Sequence, residues 1–155
     1  MADGLVAGLL DPSRIRLDGQ AGDKFDAVRQ AGELLMASGA VEASYVDSMI
    51  EREESISTYM GEGVAIPHGT NAGKAGVKAD ALTVVRYPAG VDWGNGRAEI
   101  VIGIAAVGDG HLPVLAALAQ VLMDPDRAAA LRGATTVEEV QTLLTTIEDD
   151  DSDEL

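Results

Sequence analysis

The sequence predicts an α/β fold, a single-domain sandwich in which a mixed β-sheet carries helices on both faces. Short runs rich in Val and Ile at 64–67, 81–87 and 99–107 have the composition of strands. Stretches with apolar residues near helical spacing, at 23–39 and 42–53, read as amphipathic helices. The two kinds of segment mix along the chain without strict alternation, and 155 residues suit one domain with one sizeable core.

The elements follow in chain order. Residues 14–18 (RIRLD) alternate polar and apolar side chains, a short strand. Asp23 is a plausible N-cap for a helix carrying Phe25, Val28, Leu35 and Met36, and Gly39 supplies its stop. A second helix runs from about Glu42 to Glu53, with Tyr45/Met49 and Val46/Ile50 as four-apart pairs. Its wheel places Glu53 in the middle of the apolar stripe and Arg52 at the edge. Either the helix ends there or charged groups enter a partly enclosed place, and a site at this edge is the favoured reading.

Three strands come next, at 64–67, 81–87 and 99–107, the last of them buried on both faces. Residues 112–123 form an apolar helix with Pro113 in its first turn. Two shorter helices occupy 125–132 and 136–147, the second opened by a capping box of Thr136 and Glu139. The folded domain is expected to span 1–147. Residues 148–155, with six acids between Glu148 and Glu154, are expected to form a disordered acidic tail. No internal repeat or domain linker interrupts the chain.

Composition removes several function classes. There is no cysteine, which excludes disulfides, cysteine-based metal sites and a thiol nucleophile in this chain. The formal net charge of −15 argues against general nucleic-acid binding and suits a basic partner. The N-terminal stretch has an acid where a signal peptide needs a base. No segment reaches the roughly 20 apolar residues of a membrane span. These features predict a cytoplasmic protein without direct membrane insertion, monomeric by default.

Two histidines are the first candidates for chemistry. His68 follows a short strand in Ile66-Pro67-His68-Gly69, where Pro67 stiffens the approach and Gly69 removes a neighbouring side chain. His111 follows Gly108-Asp109-Gly110 at a strand–turn–helix junction, a place that favours anions. Each alone could be a loop histidine with an ordinary hydrogen bond. Together, at the C-terminal ends of two strands, they point to a site. Arg52 is either a solvated helix charge or a guanidinium for a transferred anion. Gly61-Glu62-Gly63 is a tight turn, and no dinucleotide fingerprint is present, because Ile66 stands where its third glycine would be. No phosphate-binding loop of the nucleotide triphosphatases is present either.

The order of these motifs carries more than their composition. Arg52-Glu53, then Ser57 through Gly69, then Arg86-Tyr87-Pro88-Ala89-Gly90-Val91-Asp92-Trp93-Gly94 and Val101 through Ala106, and finally His111, resemble one family's signature. That family is enzyme IIA of the bacterial phosphoenolpyruvate-dependent sugar phosphotransferase system, mannitol/fructose class. The Tyr-Pro-x-Gly-Val segment resembles the mannitol branch most.

The resemblance implies a phosphotransferase acting through a phosphohistidine intermediate. It implies that His68 accepts a phosphoryl group from the phosphocarrier HPr and passes it to a cysteine on the IIB domain of a membrane mannitol IIBC permease. It also implies that Arg52 and His111 complete the catalytic site, stabilising charge on the phosphoryl oxygens. No cofactor or metal is required, since no polyphosphate needs neutralising. A nucleophilic imidazole must be neutral, with its other nitrogen held as N–H by an acceptor. A backbone carbonyl is the expected acceptor, and Glu62 the substitute. Two other readings stay open: a regulatory phosphohistidine module of the nitrogen-related branch, and a metal-dependent hydrolase using His68, His111 and Asp109.

Overall fold

In the computed structural model, residues 12–70, 72–94, 96–107, 116, 120 and 124–144 are described. A five-stranded sheet has the order β1-β4-β5-β3-β2, where β1 is Ile15–Arg16, β2 Tyr59–Gly61, β3 Val64–Ala65, β4 Ala81–Asp92 and β5 Arg97–Ala105. The β1–β4 and β3–β5 pairs are parallel, while β4–β5 and β2–β3 are antiparallel. The sheet is therefore mixed, as the sequence predicts.

Alternation along the central strands divides the core in two. Leu82 and Val84 of β4, with Ile100, Ile102 and Ile104 of β5, face Leu131, Ala134, Val140 and Leu144. The last four belong to α3 (Pro125–Arg132) and to the segment that continues through the helical residues 137–144. On the opposite face Ala81, Val85, Tyr87, Val101 and Ala105 meet α1 (Lys24–Ala37) and α2 (Ala43–Ser55). Helices thus cover both faces. Gly103 lets α1 come close, since a Cβ there would stand 2.5 Å from Thr83 Oγ1 and 2.9 Å from Ala31 Cβ.

Local signals set the helix ends. Asp23 caps α1 by accepting from the Asp26 N–H at 2.8 Å. Gly39 stands at φ +82° just past its C-cap, and Ala40 N–H returns to the Leu35 carbonyl in the six-to-one closure of a left-handed stop. Asp124 caps α3, and the Thr136 hydroxyl accepts from Glu139 N–H at 3.1 Å. Of the apolar helix expected at 112–123, residues 116 and 120 are helical. The other residues of that helix, and the expected tail at 148–155, lie outside the described residues. No helix among the described residues is long and apolar enough to cross a membrane.

The strands depart from expectation where short-range chemistry misleads. The strand expected over 14–18 is only Ile15–Arg16, because a 3-10 turn at Pro12–Arg14 precedes it. β4 runs on through Pro88 to Asp92, since the ladder shifts register between Arg86 and Val91 and so absorbs the proline. β2 has no alternation to announce it; it forms by pairing back on β3 across Gly61-Glu62-Gly63, all three at positive φ. The strand expected at 64–67 is regular only over Val64–Ala65. β5 spans Arg97–Ala105, and beyond it the Val107 N–H donates to the Asp80 carboxylate at 2.7 Å.

Candidate functional site

Because β3 and β5 are parallel, both leave the sheet at the same end of the strands. There His68 rejoins the ladder as an isolated parallel bridge opposite Ile104, and Ile104 N–H donates to the Pro67 carbonyl at 3.1 Å. Pro67 brings no N–H of its own, so the regular strand is already broken before the histidine.

The imidazole is oriented from its own chain. His68 Nδ1 lies 2.9 Å from the Ile66 carbonyl oxygen. A carbonyl only accepts, so Nδ1 carries the proton, and whenever the ring is neutral its lone pair is on Nε2. This is the backbone acceptor expected from sequence. The substitute, Glu62, is overturned: it sits in the β2–β3 turn with Oε2 3.8 Å from Arg132 Nη1, and its carbonyl also accepts from that guanidinium. Ile66 is itself held on its other side, its N–H donating to the Thr58 carbonyl at 3.0 Å.

Thr58 depends on a buried acid that sequence reasoning located on the helix wheel but gave no role. Glu53 is 1% exposed. Its carboxylate accepts from Thr58 N–H at 2.9 Å, from the Thr58 hydroxyl, and from Trp93 Nε1–H at 3.0 Å. A buried carboxylate with three donors is satisfied. The signal was present in the sequence, as one charge in an apolar stripe; its donors lie on two other segments.

Arg52, the neighbour of Glu53, is half-buried in the last turn of α2. Its Nη1 donates to the Ile56 carbonyl at 2.6 Å, closing the helix C-terminus. Gly69 serves packing rather than an opening beside the ring: a Cβ there would stand 2.4 Å from Tyr45 Cε1 and 2.5 Å from Ser48 Oγ. His111 and Asp109 lie outside the described residues. Among the described residues no three His, Asp or Glu side chains are grouped as metal ligands.

A cleft of about 400 Å³ continues from Thr70 along α2, where Asp47 and Glu51 form an acidic rim. A rim of that sign, on a cleft that begins two residues past His68 in the chain, suits a basic protein surface.

Comparisons with known proteins place the chain in a family. The family model described as "Phosphoenolpyruvate-dependent sugar phosphotransferase system, EIIA 2" matches residues 8–147. The chain is 39% identical over 137 residues to the mannitol-specific phosphotransferase enzyme IIA component of Geobacillus stearothermophilus, covering 88% of this chain and 94% of that protein. It is 45% identical over 126 residues to a multiphosphoryl transfer protein of Salmonella typhimurium, covering 81% of this chain. It spans only 34% of that longer relative. Among solved structures, the complex of enzyme IIAMTL and phosphorylated enzyme IIBMTL from Escherichia coli aligns with a TM-score of 0.82 and 36% identity, over 89% of this chain and 99% of that one. With the family model spanning nearly the whole sequence and the fold reproduced at that similarity, the chain belongs to the EIIA 2 family of the phosphoenolpyruvate-dependent sugar phosphotransferase system.

Proposed function

We propose that this chain is a phosphocarrier of the mannitol branch, taking a phosphoryl group from phospho-HPr onto His68 and handing it to a IIB cysteine. The observation that carries the reading is the 2.9 Å contact between His68 Nδ1 and the Ile66 carbonyl, which leaves the nucleophilic lone pair on Nε2. In acceptance, Nε2 attacks phosphorus in line, an N–P bond forms to His68, and the donor's N–P bond breaks. The electron pair returns to the donor imidazole, and Nδ1 keeps its proton on the carbonyl. Delivery reverses the roles: a thiolate of the partner attacks phosphorus, and the pair returns to Nε2.

Arg52 and His111 act on the transferring group rather than as nucleophiles. A guanidinium fork and an imidazole N–H neutralise charge spread over the equatorial oxygens. The absence of cysteine from this sequence agrees with an acceptor thiol on another domain. The acidic rim at Asp47 and Glu51 agrees with a basic donor surface. A relative named for mannitol, aligned over nearly its full length, favours that sugar over the nitrogen-related regulatory branch. The protein would work at the cytoplasmic face of the membrane, as a monomer. Incubation with phosphoenolpyruvate, enzyme I and HPr, followed by intact mass, should show one acid-labile phosphoryl group. No mass increase would end this reading.

A further inference from the structure

In a regular parallel ladder, a residue's N–H goes to the carbonyl before its partner and its carbonyl accepts from the N–H after its partner. At the bridge between His68 and Ile104 the first of these bonds is present, from Ile104 N–H to Pro67 O at 3.1 Å. The second would run from Gly69 N–H to Ile104 O. That direct contact falls short of full hydrogen-bond geometry, and the Tyr45 hydroxyl bridges the same two groups, accepting from Gly69 N–H at 2.9 Å and donating to Ile104 O at 2.7 Å.

We propose that Tyr45 is a positioning residue for phosphoryl transfer: its hydroxyl, inserted as a rung between Gly69 and Ile104, holds the His68 backbone off the end of β5 at the distance the reaction needs. Two bonds in series keep Gly69 further from β5 than a direct rung of about 2.9 Å would. The ring is 3% exposed and lies against Gly69 with no room for a Cβ, so the hydroxyl has one place to be. His68 is thereby fixed from both sides, by Ile66 before it and by the Tyr45 rung after it. Removing the hydroxyl leaves Gly69 N–H and Ile104 C=O either unpartnered or drawn together into a direct rung. In either case the imidazole changes its offset from the end of β5. Misplacement of a reacting group by about 1 Å can cost on the order of a hundredfold in rate.

This inference rests on His68 as the phosphoryl acceptor, and the test separates the two. Tyr45→Phe keeps the ring against Gly69 and Ser48 and removes only the rung. Tyr87→Phe is the control, since it also removes a buried hydroxyl, hydrogen-bonded to Gln30 at 2.7 Å on α1. Single-turnover acceptance from phospho-HPr should slow on the order of tenfold to a hundredfold in Tyr45→Phe, with KM for the donor little changed. Tyr87→Phe should keep the wild-type rate at a comparable loss of thermal stability.

A second measurement needs no transfer. The 15N shifts of His68, one of only two histidines in the chain, should report a protonated Nδ1 in the wild type and a loss of that single tautomer in Tyr45→Phe. Wild-type rates and shifts in Tyr45→Phe, or equal slowing in the two variants, would overturn the positioning role while leaving the phosphocarrier standing. A wild-type chain that takes no phosphoryl group on His68 would overturn the phosphocarrier instead, and the nitrogen shifts would still decide what Tyr45 does to the ring.

Discussion

Trp93 Nε1–H donates to the Glu53 carboxylate at 3.0 Å and so ties the β4–β5 turn to the last turn of α2. The same carboxylate holds Thr58, whose carbonyl accepts from the N–H of Ile66, the residue whose own carbonyl orients His68. One acid thus joins the end of α2, and the turn five residues on, to the β4–β5 turn 40 positions away.

Replacing it should separate geometry from charge. Glu53→Ala leaves the Thr58 N–H, the Thr58 hydroxyl and the indole N–H without an acceptor, and should cost about 3 kcal/mol or more. Glu53→Gln can keep a carbonyl toward Thr58 N–H and Trp93 Nε1–H and offer its amide to the Thr58 hydroxyl, so it should lose only about 1 kcal/mol. Urea denaturation of both variants measures the difference. Equal losses would mean that packing alone, not the hydrogen bonds, holds this corner.

Arg52→Lys should retain the fold, because the bond to the Ile56 carbonyl is a partly exposed helix cap worth less than about 1 kcal/mol. Transfer should slow nonetheless, since a point charge does not reproduce the planar fork on phosphoryl oxygens. Unchanged transfer rates in a variant with unchanged melting temperature would return Arg52 to a capping role alone.

How much of this could be read from the sequence depends on where each partner lies along the chain. α1 was legible because its cap, its stop and its apolar face are all local to 23–39. The interior of β5 was legible because both faces are apolar. β2 and the far half of β4 were not: Tyr59–Gly61 exists only by pairing, and Pro88 looks like a terminator until the register shift absorbs it. The site divides in the same way. His68 and Arg52 stood out as chemical types in a motif. The roles of Tyr45 and Glu53 needed the fold, because Tyr45 meets Gly69 across 24 positions and Glu53 meets Trp93 across 40.

Thr83 offers a test of the sheet's interior. It is fully buried opposite Gly103, and its Oγ1 has no hydrogen-bond partner among the described residues. Thr83→Val replaces that hydroxyl with a methyl of similar size and should stabilise the protein by about 1 kcal/mol. A fall in melting temperature would show that the hydroxyl is satisfied in the folded protein or that the methyl does not fit beside Gly103.

Tyr87 sets the alkaline limit. Burial, reinforced by the negative charge of Asp26 and offset by Arg16, pushes its phenol well above the ordinary 10.0. Burial also raises Tyr45, against the opposing bond from Gly69. Below pH 10 folded and unfolded chains both hold these protons, and the contribution is fully present. Above it the unfolded chain releases protons that the folded chain keeps, so stability falls as pH rises, by up to about 1.4 kcal/mol per pH unit for each group. Tyr87→Phe should flatten that decline between pH 10 and 11.5 in urea titrations. A slope identical to the wild type would mean that the Tyr87 phenol ionises in the folded state as readily as in the unfolded one.

The two histidines should behave differently. His68 stands between a proline with no N–H and a glycine packed on Tyr45, with Nδ1 held on Ile66. The proposed function makes it the acceptor, so His68→Ala should take no phosphoryl group from phospho-HPr while its fold, read by circular dichroism, stays intact. His111 follows β5 by six positions in sequence, and β5 leaves the sheet at the end where His68 sits. As a donor to phosphoryl oxygens it would steady the transfer without receiving the group. His111→Ala should therefore still gain one phosphoryl mass but deliver it to a IIB acceptor on the order of a hundredfold more slowly, as loss of one such donor commonly does. Intact mass before and after acid treatment, followed by transfer to IIB, distinguishes the two. Full labelling of His68→Ala, or phosphate recovered on His111, would reverse the assignment.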